Sequence, residues 1–324
     1  MTRTFIPQPV LDSAHARSAA RVARDWPTAD RLRGEIEAAG WRVIDTGPDF
    51  RLVPAHPPDV EDGDVVRYGR SDAVPARFDE PSTCPATVIL VATDQPDDLA
   101  RAIDALRRTT PGILQIVVVA DAPDGAQDAR LATSVAHEDA TTTAATVVEI
   151  VRTSARLGWA AALNVGLRRA SGEVVVFMDT SVEPVGDVVT PLVDSLRGDD
   201  VAVTGAVGLR SADLHRFEEV TDGDAAAIDG SVLAFRRADS AAAGPLDEAF
   251  RFYRNLDIWW SLALRDRGDD VQPRRAVVLP DIPVVRHEHR GWASLGEAER
   301  ERLSKRNFYR VLDRYRGRTD LAVP

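Results

Sequence analysis

The chain has 324 residues, with 40 lysine and arginine against 51 aspartate and glutamate side chains, which gives a formal charge of −11. A hydrophobic fraction of 44% and a charged fraction of 28% are typical of a globular protein and exclude a disordered chain. The acidic surplus argues against nucleic acid as a partner, because such proteins present a basic face. The single cysteine, Cys84, excludes an intrachain disulfide and a zinc site made of cysteines.

No apolar run reaches the roughly 18–20 residues that a membrane span needs. The N-terminal stretch MTRTFIPQPV lacks the apolar core of a signal peptide. We therefore expect a cytoplasmic protein without a transmembrane segment. The length allows one large domain with a small appendage.

The N-terminal part of the chain, residues 1–54, is predicted to be a helical appendage with a hairpin. Helical spacing over residues 14–39 is interrupted at Asp25, which suits an N-cap and a second helix. Residues 41–54 alternate between apolar and polar side chains, which predicts the hairpin. Residues 55–84 are rich in Pro, Asp and Gly and are predicted to be a linker.

Strands alternate with helices over residues 85–324, which we predict to be one domain. The apolar stretches 87–93, 115–121, 146–152 and 173–179 predict buried strands. This alternation predicts an α/β fold, with a mostly parallel sheet flanked by helices. Ligands of such sheets bind beyond the carboxyl ends of the strands. Polar residues at those ends are therefore candidates for a site: Thr93, Asp94, Asp121 and Asp179.

Five blocks of sequence stand in order between residues 87 and 315. They are TVILVATDQPDDLARAIDAL, QIVVVADAPDG, RLGWAAALNVGLRRASGEVVVFMDTSVEP, IDGSVLAFRRADSAAAGPLDEAFRFYRNLDIWWSLALRDRG and VVRHEHRGW. Together they resemble family 2 glycosyltransferases, whose fold is GT-A. The resemblance implies an inverting, hexosyltransferase-like enzyme that moves a sugar from a nucleotide-sugar donor to an acceptor hydroxyl.

The resemblance implies that the donor nucleotide lies at the strand ends. Asp121 would accept hydrogen bonds from the base, and Thr93 and Asp94 would line the same pocket, since base N–H groups and ribose hydroxyls are donors. A turn-forming role is the alternative for Asp121. The family favours a UDP-sugar. Further expected contacts to the nucleotide sugar come from the third block: Arg156, Gly158, Asn164, Asp179 and Ser181.

The resemblance also implies a divalent cation, Mn²⁺ or Mg²⁺, beside the donor diphosphate. Asp179 begins the triplet that corresponds to the family's D-x-D motif, and Ser181 replaces the second aspartate, which removes one formal charge. Arg156 could compensate by holding phosphates, or it could be a solvated surface arginine. His287 and His289 are candidate metal ligands, with His287 slightly favoured. The alternative is one histidine that caps a loop and one that is exposed.

Asp257 is the candidate catalytic base. An inverting transferase needs a group that takes the proton of the attacking hydroxyl, and Asp257 begins a predicted helix in FYRNLDIWWSLALRDRG. A plain helix cap is the alternative role. On the acceptor side we expect Asp229 and Gly230, where the family's acceptor loop begins. Trp259 is a candidate for a sugar-stacking wall, with a core position as its alternative.

Two other hypotheses stay open at this point. A catalytically silent nucleotide-binding or interaction module is favoured by Ser181, Leu256 and Ala120, where the family has acidic residues. Nucleotidyl transfer is disfavoured, because no glycine-rich phosphate loop follows the first strand. The acceptor is unknown and could be a glycan, a lipid-linked compound or a small molecule. Residues 296–318 predict an amphipathic helix that packs on the domain or, alternatively, contacts a membrane surface or a partner.

A shorter similarity concerns residues 14–54. The stretch ARVARDWPTADRLRGEIEAAGWRVIDTGPDFRLVP faintly resembles a segment near the C-terminal end of cysteinyl-tRNA synthetases. It contains none of the catalytic motifs of those enzymes, so synthetase activity does not follow. We expect an appendage that docks on the chain's own sheet, with a partner or RNA as alternatives.

Overall fold

The computed structural model describes residues 6–47, 49–92, 94–136, 146–268, 271–289 and 294–324. Thr93, a predicted donor-site residue, lies outside this range. The chain divides into two compact units, of which the first ends at Arg70 and the second begins at Ser71. None of the described helices combines the length and the apolar character that a membrane span requires.

The first unit contains two antiparallel hairpins and two helices within its described residues. Its elements are α1 (Gln8–Val22), α2 (Trp26–Ala38), β1 (Trp41–Thr46), β2 (Asp49–Pro54), β3 (Val60–Asp62) and β4 (Val65–Tyr68). Asp25 caps α2 as predicted, because its carboxylate accepts a hydrogen bond from the Thr28 N–H at 3.2 Å. The small core consists of Val10, Ala14, Ile36 and Trp41.

The first helix begins six residues before the predicted start, at Gln8. Pro7 occupies its N-cap position, where a missing N–H and a fixed φ cost nothing. Val10 and Ala14 face the core, and Arg17 donates hydrogen bonds to the Asp45 carboxylate at 2.9 and 3.1 Å. The apolar spacing before residue 14 was too sparse to predict this extension, which packing against Ile36 stabilises.

The second unit carries the predicted alternation of strands and helices. Its first half consists of β5 (Cys84–Val91), α3 (Pro96–Thr109), β6 (Leu114–Ala120), α4 (Gly125–Ala136), β7 (Thr146–Thr153), α5 (Trp159–Arg169), β8 (Gly172–Met178), β9 (Val182–Pro184) and α6 (Val189–Ser195). Its second half consists of β10 (Val201–Gly205), β11 (Gly208–Arg210), β12 (Glu218–Val220), β13 (Gly223–Ala225), β14 (Ala227–Ile228), β15 (Val232–Arg236), α7 (Arg237–Ala243), α8 (Leu256–Arg265), β16 (Arg275–Val278), β17 (Val284–Arg286) and α9 (Glu297–Tyr315).

The main sheet of this unit has the strand order β13-β16-β10-β15-β8-β5-β6-β7. Strand β5 pairs in parallel with both β6 and β8, and β6 pairs in parallel with β7. Strand β15 is antiparallel to its neighbours β8 and β10. The predicted mostly parallel α/β architecture is therefore confirmed, and the ends of β5, β6 and β8 lie on one edge of the sheet.

Helices cover both faces of the sheet. Val88 and Leu90 of β5 pack in one cluster with Leu99 and Ile103 of α3, whereas the intervening Ile89 points to the opposite face. There α5 approaches so closely that a Cβ on Gly166 would lie 2.5 Å from Ile89. With both faces covered, the strand ends are left for binding.

The C-terminal helix α9 packs on the domain, as the amphipathic pattern predicted. It buries Val311, Leu312 and Tyr315 and contacts α8. The buried Asn307 donates hydrogen bonds to the carbonyl oxygens of Phe252 and Arg254, at 2.7 and 2.9 Å. This helix therefore fixes the loop that leads into α8.

Candidate active site

A cleft of about 220 Å³ opens at the carboxyl ends of β5 and β8. It contains three carboxylates that the sequence predicted for different roles, namely those of Asp179, Asp229 and Asp257. Ser181, Gly230 and both predicted histidines, His287 and His289, also line it. The cleft therefore unites the predicted base, the predicted acceptor loop and the predicted metal ligands.

Asp179 and His289 meet inside this cleft. The distance from His289 Nε2 to Asp179 Oδ2 is 3.1 Å, and the other carboxylate oxygen accepts the Ser181 N–H at 2.8 Å. Burial raises the pKa of Asp179, but the hydrogen bonds from His289 and Ser181 outweigh this effect and hold the pKa below its usual value. Asp179 is therefore a carboxylate anion at neutral pH.

The other histidine of the pair points elsewhere. The distance from His287 Nε2 to Glu183 Oε2 is 2.8 Å, and β9 carries Glu183 opposite β17. Strict strand alternation would place residues two apart on the same face, but β17 ends at Arg286, so His287 and His289 lie outside the strand and face different partners. The slight preference for His287 as the ligand near Asp179 is wrong in this geometry, since His289 makes that contact.

Asp257 lies at the start of α8 with its carboxylate in the cleft. Its oxygens accept the N–H groups of Gly230 at 3.0 Å and of Ile258 at 2.9 Å. Burial, followed by the nearby Asp229 carboxylate, raises the pKa of Asp257 to about 6, although the two N–H groups oppose the rise. A carboxyl group with this pKa can take up a proton near neutral pH.

The loop before β15 supports this carboxylate. Gly230 leaves space for it, because an added Cβ would lie 3.3 Å from the Asp257 Cβ. Asp229 accepts the Ser231 N–H at 3.0 Å, and the Ser231 carbonyl accepts the Asp179 N–H at 3.0 Å. One short segment thus connects the Asp257 side of the cleft with the Asp179 side.

The remaining predicted donor residues form a separate strand-end cluster: Asp94, Asp121, Arg156 and Gly158. Asp121 accepts the N–H groups of Leu157 at 2.7 Å and Gly158 at 3.1 Å. Burial raises the pKa of Asp121, and these two N–H groups oppose the rise. Arg156 forms an ion pair with Asp94. None of the four lines the cleft that contains Asp179. Both the compensation by Arg156 for the charge missing at Ser181 and a nucleotide contact of the cluster stay predictions.

Asn164 has a structural role in the described residues. Its side chain exchanges hydrogen bonds with the Leu246 backbone, both at 2.9 Å, and donates to Glu248 at 3.1 Å. It does not line the cleft. A direct contact of Asn164 with the nucleotide sugar stays a prediction.

We expect Asn164→Ala to lower the free energy of unfolding by about 2–4 kcal/mol, because buried backbone groups lose their partners. Urea unfolding measures this loss, with the exposed Thr190→Ala of α6 as a control that leaves stability unchanged. Unchanged stability together with weaker nucleotide binding would instead support the predicted contact with the donor.

The two adjacent tryptophans of α8 occupy different positions relative to the cleft. Both side chains are buried: Trp259 lies outside the cleft, with the Arg314 guanidinium 4.6 Å above its ring, and Trp260, which is 1% exposed, borders the cleft from the core. Helical spacing is the signal that could have predicted this, because a residue three positions after Asp257 shares its face of the helix and one two positions after it does not. The buried position of Trp259 fits the core role named as its alternative, and a sugar-stacking wall stays a prediction.

Sequence reasoning also missed two aromatic residues of the cleft. The Tyr253 ring stacks on His289, with centroids 4.6 Å apart and planes inclined by 18°. Trp159 contacts the edge of Tyr253 at 5.9 Å. These contacts join the starts of α5 and α8 to the His287–His289 segment. The three segments are distant in sequence, so no local sequence pattern predicts the contacts between them.

The sequence profile of glycosyl transferase family 2 matches residues 87–252, about half of the chain. The chain therefore belongs to glycosyl transferase family 2. Within the described ranges, no three His, Cys, Asp or Glu residues form a group that could by itself hold a metal ion.

Solved structures of similar fold are glycosyltransferases. GalNAc-T7, solved with UDP, GalNAc and Mn²⁺, is 15% identical with a TM-score of 0.55, over 71% of this chain and 48% of that chain. The present chain thus corresponds to about half of that protein. The mannosyltransferase PcManGT from Pyrobaculum calidifontis, solved with GDP-Man and Mn²⁺, is 18% identical with a TM-score of 0.50, over 74% of this chain and 79% of that one. At these identities the similarity establishes the GT-A fold.

A local match to another protein accompanies these similarities. The chain is 46% identical over 50 residues to cysteine–tRNA ligase of Opitutus terrae, which is 15% of this chain and 11% of the ligase. A match of this length does not establish an activity.

Proposed function

We propose that the protein is an inverting glycosyltransferase that moves a sugar from a nucleotide-sugar donor to an acceptor hydroxyl. One observation carries the proposal: Asp257 shares a single cleft with the Asp179–His289 pair. In this arrangement Asp257 faces the acceptor and Asp179 faces the departing diphosphate. A UDP-sugar is the favoured donor, and GalNAc-T7 and PcManGT are examples of the fold with UDP and GDP-Man, respectively.

Asp179 and His289 fit the requirements of a divalent cation. Two cis ligands, each about 2.1 Å from an octahedral ion, stand about 3.0 Å apart, and the observed distance between His289 Nε2 and Asp179 Oδ2 is 3.1 Å. Two protein ligands suffice, because phosphate oxygens and water complete such sites. An imidazole ligand favours Mn²⁺ over Mg²⁺. The ion, when bound, neutralises the charge that develops on the leaving diphosphate.

Asp257 acts as the base. Its carboxylate takes the proton of the acceptor hydroxyl while the hydroxyl oxygen bonds to the anomeric carbon. The bond from that carbon to the diphosphate oxygen breaks, and the nucleoside diphosphate leaves. Gly230 and Ile258 hold the carboxylate in position through their N–H groups.

A nucleotide-sugar panel tests the function. The protein is incubated with UDP- and GDP-sugars and with Mn²⁺ or Mg²⁺, and the released nucleoside diphosphate is measured. We expect turnover of at least one donor, together with a higher melting temperature in its presence. Absence of both turnover and stabilisation across the panel would favour the silent binding or interaction module over the enzyme.

We expect kcat/KM to rise with pH through a midpoint of about 6, because only the deprotonated Asp257 can accept a proton. Asp229→Asn should move this midpoint to lower pH, since it removes a like charge that raises the pKa of Asp257. A pH–rate profile with the active donor measures both midpoints. The exposed Asp194→Asn, outside the cleft, serves as the control and leaves the midpoint in place. A profile that Asp229→Asn does not move would remove Asp257 from the role of base.

A further inference from the structure

Two arginines line the cleft that contains Asp257. Arg286 approaches Asp229, with 3.4 Å between Nη2 and Oδ1. Arg254 stands three residues before Asp257, and its positive charge opposes the rise of the Asp257 pKa. Asp179, by contrast, takes its hydrogen bonds from His289 and Ser181. Both arginines therefore stand in the same cleft as Asp257, and Arg286 contacts the predicted acceptor-side residue Asp229 there.

Backbone contacts hold both arginines in place. The Arg254 carbonyl accepts a hydrogen bond from Asn307 of α9 at 2.9 Å, and the next residue, Asn255, donates to the Ser304 carbonyl at 2.9 Å. Arg286 pairs with Val182 across the hairpin of β9 and β17. Two separate parts of the fold thus present cations to one cleft.

Arg286 keeps capacity for a ligand. Its side chain is 46% exposed, and its contact with Asp229 uses one nitrogen at a long distance. A guanidinium has five N–H donors in a planar fork that matches the oxygens of a phosphate or a carboxylate. The Asp229 contact orients this fork without saturating it.

We propose that the acceptor is an anionic hydroxyl compound, whose phosphate or carboxylate group binds Arg254 and Arg286 while its hydroxyl group faces Asp257. This inference rests on the proposed function, because it takes Asp257 as the base. The anion gives the acceptor its affinity, and the distance from the arginines to Asp257 selects which hydroxyl reacts. A neutral sugar lacks the group that the two guanidinium groups recognise.

The donor diphosphate is the other source of an anion in the same cleft, and a binding experiment separates the two. The protein is first saturated with Mn²⁺ and with the nucleoside diphosphate of its donor. Calorimetric titration then measures its affinity for glycerol 3-phosphate, glycerate and glycerol. We expect the phosphate or the carboxylate to bind, and glycerol to bind at least about tenfold more weakly.

Arg254→Gln and Arg286→Gln each lower the affinity for the anionic probe by about tenfold or more, because a hydrogen bond to a charged group is lost. Arg197→Gln is the matched control, since Arg197 is 76% exposed and pairs with Asp194 outside the cleft. The affinity for the nucleoside diphosphate alone stays unchanged in the two cleft variants, which also shows that both are folded.

Three results would overturn the inference. If the cleft variants weaken binding of the nucleoside diphosphate alone, the arginines hold the donor and not the acceptor. If the anionic probes bind no better than glycerol, or if the variants bind them as the parent protein does, the acceptor is not recognised by its charge. If no nucleoside diphosphate binds at all, the proposed function fails, and this inference fails with it.

Discussion

Asp257→Asn should lower kcat by about 10²–10⁴-fold, because general base catalysis supplies a factor of this size. Asparagine has the same size and keeps one oxygen that can accept the Gly230 or Ile258 N–H, but it cannot take up a proton. Turnover is measured with saturating donor well above pH 6, where the parent carboxyl group is ionised. The affinity for the nucleoside diphosphate should stay unchanged, since Asp179 and His289 are untouched.

The Asp257→Asn variant also distinguishes a role of Asp257 as the catalytic base from a role as a helix cap. Asn255 occupies the N-cap position of α8, with a left-handed φ of 68°, and Asp257 stands two residues further on. If Asp257 only stabilises the helix N-terminus, its replacement lowers the melting temperature and leaves kcat intact. Asp313→Asn, an exposed change on α9, controls for the general effect of removing a carboxylate.

Asp179→Asn should weaken Mn²⁺ binding in the presence of nucleoside diphosphate by at least about 100-fold, which exceeds the usual loss from an outer-shell change. An amide has no negative charge and is a poor ligand for a hard cation. Electron paramagnetic resonance of free Mn²⁺ measures the affinity directly, without reliance on turnover. Turnover should fall in parallel, because the leaving diphosphate loses its counter-charge.

A variant that is expected to strengthen Mn²⁺ binding tests the same site. Ser181→Asp restores the second carboxylate of the family triplet, and we expect it to strengthen Mn²⁺ binding. Glu173 is exposed on β8, the strand that ends just before Asp179, and Glu173→Gln should leave the affinity unchanged. Equal Mn²⁺ affinity in the Asp179→Asn variant and the parent protein would assign the Asp179–His289 pair a purely structural role.

Local patterns predicted most of the fold. Apolar runs of strand length correspond to β5, β6 and β8, because a strand covered on both faces must be apolar throughout. The predicted strand β7 also forms, but it is mostly half-buried, with Val147 58% exposed. The helical interruption at Asp25 also appears, since the capping bond to Thr28 is local. The antiparallel insertion of β15 between β8 and β10 was not predicted, because strand order depends on contacts between distant segments.

The sequence predicted which residue types occur at the site, but it predicted less well which way their side chains point. Trp259 and Trp260 are adjacent and chemically identical, and only the packing of α8 places one of them at the border of the cleft. Arg156 was a candidate to hold phosphates. It forms an ion pair with Asp94, in a cluster that does not line the Asp179 cleft. Arg286, which the sequence did not single out, lines the cleft and approaches Asp229, because β17 pairs with β9.

The sequence by itself determined the family, the alternation of strands and helices, and the carboxylates that stand at the strand ends. These depend on residue type, spacing and order, which are properties of the chain before it folds. Only the tertiary structure decided that His289 faces Asp179, that Asp229 raises the pKa of Asp257, and that two arginines share one cleft with Asp257. The reason is physical: these relations join residues from different elements, and their distances are set by packing between segments that no local pattern encodes.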